Sequence, residues 1–210
     1  MKNRRIPLIL NSILVILCII GIFFTFKENI FIFEYYTEDS NILAGIGSLL
    51  FVIYSIRNKE IPMWLVILRY ISVCCLVVTF IVVVFVLIPT MSNSYLEGVR
   101  HLLLSGSMLF HHFLCPVISF LSFVLFEKDE RLNKKKYIYY PFIPTLIYGF
   151  ILITLNILRK VIGPYPFLMV YYQPWYMTII WIIIIGVGNY FIAYLTLFLN
   201  QLGITNTKRL

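Results

Sequence analysis

Two adjacent histidines, His111 and His112, sit in the middle of an apolar run, residues 102–126. An ionisable side chain at that depth in a membrane is costly, so it faces a protein interior or a wet cavity and points to function. A second polar group, Thr37-Glu38-Asp39-Ser40-Asn41, stands at the mouth of another apolar run. A hydroxyl and an imidazole are the minimum parts of nucleophilic acyl chemistry. Thr37 is the candidate nucleophile, with Ser40 in reserve, and His111 or His112 is the candidate base. Asn41 is the first candidate donor to the oxyanion that such an attack creates, and Tyr165 the second. No acid stands out to orient the imidazole; Asp39 serves only if it folds inward. Each group also has a plainer reading. Thr37, Asp39 or Ser40 can cap a helix, and a lone histidine often just bonds between helices. Two histidines beside Pro116, which can kink the helix and free the carbonyl of His112, weigh toward chemistry.

The elements that must position these residues follow from composition. The chain of 210 residues is 61% hydrophobic and 12% charged. A soluble domain carries about 25% charged residues, so this is a polytopic membrane protein. A span needs about 20 apolar residues. Six runs qualify: residues 6–26, 36–56, 62–89, 102–126, 137–158 and 175–200. The apolar part of the second starts at Asn41, and its helix is expected to begin near Tyr36. The first run is too long for a signal-peptide core, and no small-residue cleavage site follows it. The expected fold is all-α, one six-helix transmembrane domain over residues 1–210.

The net charge of +8 does not indicate a nucleic-acid partner, because the basic residues lie in short loops and tails. Of the 17 Lys and Arg, 13 fall on the side of the N-terminus and 4 on the other. This places both termini in the cytoplasm. Arg69, near the start of the third span, is expected to snorkel to the headgroups. Cys18, Cys74, Cys75 and Cys115 lie inside spans as small apolar residues, so no disulfide, zinc site or cofactor is expected.

Inside the fourth span, Ser107, His111 and Cys115 share one helical face. In the sixth, Gly186 and Gly188 suit close helix packing, and Asn189 can bond across helices or contact substrate. The outer segments 27–40 and 159–174 are rich in aromatics and proline, as expected of a lid over the bundle's outer end. All nine acids fall in loops or at span ends, which argues against a proton-coupled transporter. Depth is the difficulty. His111 lies nine residues into its run, whereas Thr37 sits at a span's mouth, so they meet only if the second span begins early or its loop dips inward.

Three segments together resemble a known family: Tyr35-Tyr36-Thr37-Glu38-Asp39-Ser40-Asn41, His111-His112-Phe113-Leu114-Cys115-Pro116 and Tyr165-Pro166-Phe167-Leu168. In this order on six spans they resemble the androgen-induced and androgen-dependent membrane proteins, and more closely their bacterial six-span relatives. The resemblance implies a threonine hydrolase of fatty acid esters of hydroxy fatty acids, working inside the cell membrane of a bacterium. It places the nucleophile on Thr37, and the histidine on His111 or, one residue on, His112. Tyr165 and Phe167, with Ser40, Asn41 and Asn189, are the expected substrate contacts. The expected partners are a lipid ester and the bilayer. The polar run after Thr37 departs from the animal pattern, which leaves open another lipid substrate or a lipid-binding protein without catalysis.

Overall fold

A computed structural model describes residues 5–28 and 32–202. Among these residues the chain is all-helical, with six helices long and apolar enough to cross a membrane. They are α1 (Arg5–Lys27), α2 (Tyr36–Ile56), α3 (Met63–Met91), α5 (Gly106–Leu125), α6 (Phe142–Ile157, extended at its start by 3-10 turns from Lys135) and α7 (Trp175–Gln201). A short helix, α4 (Tyr95–Leu102), lies between α3 and α5. Lys2, Arg4, Lys208 and Arg209, four of the residues behind the expected orientation, lie outside the described residues.

Proline sets much of the helix geometry. Pro62 and Pro174 stand just ahead of α3 and α7, and Pro141 just ahead of α6, where a missing N–H costs nothing. Pro89 and Pro116 lie within long helices. A proline ring clashes with the carbonyl four residues back, and here each helix widens into a π turn ahead of its proline. These turns are Val83–Leu87 in α3 and Leu109–Leu114 in α5. The expected kink at Pro116 is therefore a π turn that contains both histidines.

The fourth span begins later than its apolar run. Leu102 ends α4, and the chain breaks before Gly106, which opens α5 at φ 51°. A Cβ at Gly106 would collide with the Glu28 carboxylate. That carboxylate accepts from the Ser107 backbone N–H at 3.1 Å and from its hydroxyl at 2.5 Å. An acid from the end of α1 thus caps α5, satisfying donors that the new helix start exposes.

α1, α2, α3 and α5 pack as a four-helix core, and α7 leans on α3 and α5. α6 is the most exposed of the six. Small residues let the core helices approach closely: Gly45 faces Cys18, and Gly47 faces Arg69 and Ser72. Arg69 does not snorkel. It is buried, donating from Nε and Nη2 to Glu127 at 3.0 and 2.9 Å and from Nη1 to Ser48 at 2.9 Å. Asn11 and Ser122 also donate to Glu127, at 2.8 and 2.6 Å. Pairing beats snorkelling because Glu127 closes α5 within reach and its second oxygen makes the contact bidentate. Burial alone would raise the Glu127 carboxyl. The Arg69 charge and these hydrogen bonds outweigh it and hold the group below its ordinary range.

Candidate active site

The polar residues of α2 fall on the inner face because the helix starts at Tyr36, early enough to wind them into the bundle. Thr37, Glu38, Ser40 and Asn41 are all buried, while Asp39 is only partly so. The depth difficulty disappears. The histidines lie within the first two turns of α5, since that helix starts at Gly106. The start of α2 also lies well below the outer end of α3. Ser40 meets Thr79 of α3 at 3.2 Å, and α3 continues to Met91, roughly 18 Å further along its axis at helical rise.

Thr37 Oγ1 lies 3.1 Å from His112 Nε2. His112 Nδ1 lies 2.7 Å from the carbonyl of Leu102, which can only accept. The proton of the neutral ring is therefore on Nδ1, and Nε2 presents its lone pair to the Thr37 hydroxyl. The break between α4 and α5 supplies that carbonyl: Leu102 ends one helix, and the histidine pair lies within the first two turns of the next. His112, not His111, reaches Thr37.

His111 forms a second rung beside the first. Its Nδ1 is 3.6 Å from Glu38 Oε1, and both side chains are buried. Gly21 of α1 makes room for the ring, since a Cβ there would overlap it. The expected face of α5 is present and points at α1: Ser107 meets Glu28, His111 meets Gly21, and Cys115 Sγ lies 3.7 Å from Cys18 Sγ. Glu38, at the start of α2, is an acid beside a histidine, where none stood out in the sequence. The same stripe as Asn41 and Gly45, three and seven residues on, would have shown it. Asp39 is not the acid beside either histidine.

Tyr165 completes the site. Its hydroxyl lies 3.4 Å from Thr37 Oγ1 and can donate to it. Burial pushes its phenol well above its ordinary value; the Thr37 hydrogen bond partly offsets this and the Glu38 charge adds to it, so the group stays a donor. The loop that carries it is folded inward and pinned. Asn156 Nδ2 donates to Val161 O at 3.0 Å, and Val170 N–H donates to Asn156 Oδ1 at 3.0 Å. Tyr165 stacks on Phe167 with centroids 5.1 Å apart and meets Tyr35 edge-on.

Thr37 forms part of the wall of a cavity of about 440 Å³ between α2, α3, α6, α7 and this loop. That is within the usual range for small-molecule sites, roughly 300–1,000 Å³. Tyr165, Phe167 and Asn189 also line it. Ser40 and Asn41 do not: they stand behind Thr37, where the helix turns them toward α3 and α5. Asn41 Nδ2 donates to the carbonyls of Thr37 and His111, at 2.8 and 3.2 Å, so its donors are already taken. Ser40 donates to Thr37 O at 2.9 Å. Both fix the backbone of the site rather than its wall. Gly186 and Gly149 face open space, so Gly186 enlarges the cavity instead of bringing helices together. Leu146, Phe150 and Ile182 on its rim are exposed on the apolar flank of the bundle, so the mouth opens sideways between α6 and α7. Among the described residues, no three His, Cys, Asp or Glu side chains gather where a metal ion would bind. No protein-family model, curated protein or solved structure matches the chain.

Proposed function

We propose that this protein is an integral membrane hydrolase of lipid esters, with Thr37 as nucleophile and His112 as general base. One observation carries the reading: the Thr37 hydroxyl faces His112 Nε2 at 3.1 Å in the wall of an apolar cavity, with the ring's tautomer fixed by Leu102. This is the nucleophile, base and orienter arrangement of covalent acyl chemistry, with a backbone carbonyl in the orienting place. An acyl chain enters from the bilayer between α6 and α7. The Thr37 oxygen bonds to the ester carbon as its proton passes to His112 Nε2. The carbonyl oxygen becomes an oxyanion beside the Tyr165 hydroxyl. Collapse breaks the ester bond, and the departing alkoxide takes the proton from His112. Water, activated by His112, then releases the acid from Thr37.

The resemblance to the androgen-induced family points to Thr37 and to His111 or, one residue on, His112, and the contact with Thr37 favours the second; a bacterial cell membrane with both termini in the cytoplasm belongs to this proposal. A fluorophosphonate probe applied to membranes tests it. Labelling that maps to Thr37 and is lost in His112→Ala supports the reading. A second reading, a lipid carrier without catalysis, draws on the apolar cavity alone; it predicts a tightly held lipid and an unlabelled Thr37.

A further inference from the structure

The cavity wall carries a second polar node that the ester chemistry does not use. Asn189, in the middle of α7, is 2% exposed and lines the cavity. Its Nδ2 donates to Thr145 Oγ1 at 2.8 Å. Thr145 in turn has the Pro141 carbonyl at 3.3 Å and the Tyr36 hydroxyl at 2.8 Å. The one Thr145 proton goes to the carbonyl, which can only accept. Its oxygen then accepts from Tyr36 and from Asn189. That order turns the Asn189 amide nitrogen toward Thr145 and leaves Oδ1 buried with no partner. Buried carbonyl oxygens without a partner are uncommon and call for an explanation.

The rest of the wall narrows the choice of ligand. Among the described residues lining the cavity there is no Lys, Arg, His, Asp or Glu. A charged headgroup or a free carboxylate drawn inside would lose its hydration and find no counter-charge. A carbonyl oxygen accepts a hydroxyl proton and repels a carboxylate. Tyr36 is the neighbour of Thr37, so this acceptor lies within a tyrosine side chain and two hydrogen bonds of the α2 backbone beside the nucleophile.

We infer that Asn189 is a substrate-selecting subsite, and that the cavity takes a neutral ester lipid bearing a free hydroxyl. The ester reading supplies only the bond that is cleaved; selection by Asn189 is a matter of binding. The probes are 1-monooleoylglycerol, its analogue with both hydroxyls methylated, and the oleoyl ester of hydroxystearic acid as free acid and as methyl ester. Binding is measured on the full chain carrying Thr37→Ala, so that turnover does not interfere. One hydrogen bond to the orphaned oxygen gives monooleoylglycerol an advantage of about tenfold over its capped analogue. Adding Asn189→Leu makes the two bind alike, and the methyl ester binds more tightly than the free acid in either background. Equal binding of capped and uncapped lipid by the Thr37→Ala protein overturns the inference, and needs no change at Asn189. So does a preference that survives Asn189→Leu in a protein that still elutes as a folded species, or tighter binding of the free acid. If the hydroxyl preference is found while the native chain cleaves no ester, the subsite stands and the hydrolase reading falls.

Discussion

Thr37 and His112 meet across α2 and α5 at 3.1 Å, and one residue along each helix Glu38 approaches His111 to 3.6 Å. The two rungs look alike in sequence and differ in their surroundings. His112 has both ring nitrogens engaged, whereas those of His111 lack hydrogen-bond partners. Under the proposed chemistry His112→Ala lowers kcat by about 10²–10⁴, the usual contribution of a general base. His111→Ala lowers it by a far smaller factor, because Thr37, His112 and Leu102 remain in contact. Steady-state kinetics on both variants separates the roles; equal losses would contradict the assignment.

The second rung is expected to show up in stability. Removing His111 leaves Glu38 buried without its neighbour, and removing both partners relieves that penalty. Glu38→Gln in the His111→Ala background therefore recovers part of the stability lost. A double-mutant cycle by thermal melting in detergent measures this coupling, and strict additivity would argue that the pair does not interact.

Gly21 carries a steric prediction. Alanine there would overlap the His111 ring and press on Phe110 Cβ, which would lie 3.0 Å from the added atom. Overpacking of this kind costs about 1–3 kcal/mol. Gly21→Ala should melt at a lower temperature than the native chain, and the same change made in a His111→Ala background should lower the melting temperature by much less.

Arg69 and Glu127 make the opposite end of the bundle sensitive to pH. The folded-state carboxyl of Glu127 is held below its ordinary range, chiefly by Arg69 acting against burial. A depressed carboxyl gives stability that is fully present above its unfolded pKa, about 4.3 for a free glutamate, and lost as pH falls through the folded value. Melting temperature should thus drop as acid is added below that range. Arg69→Met at neutral pH should cost about 3–5 kcal/mol by stranding the carboxylate, and Arg69→Met with Glu127→Leu should cost much less.

Orientation is open to labelling within the described residues. The excess of Lys and Arg on one side predicts that a cysteine replacing Lys160, between α6 and α7, reacts with an impermeant thiol reagent in intact cells. A cysteine replacing Lys135, ahead of α6, should react only after permeabilisation. The reverse pattern would invert the bundle.

Much of this architecture is legible in the sequence. A long apolar run has one stable solution in a bilayer, a helix, so the six spans fall within a few residues of their runs. The early start of α2 at Tyr36 was also readable. The break at Gly106 was not: Leu102 and Leu103 are apolar, and only the packing of α4 and the Glu28 cap decide where α5 begins. That break supplies the Leu102 carbonyl, so the choice between His111 and His112 was beyond a count from Pro116. Arg69 looked like a snorkelling residue because its partner Glu127 lies 58 residues away in sequence. Glu38 was hidden by its acidic neighbour Asp39, although helical spacing from Asn41 and Gly45 puts it on the inner stripe.

The most direct test of the central claim is ester turnover by purified native chain, Thr37→Ala, His112→Ala and the double variant in detergent, against a panel of long-chain neutral esters. Native protein should release the acid. Each single variant should lose nearly all of that activity, and the double should be no worse than the poorer single, since nucleophile and base act as one unit. Turnover that persists undiminished in Thr37→Ala, or its absence from native protein that retains a co-purified lipid, would contradict a threonine hydrolase.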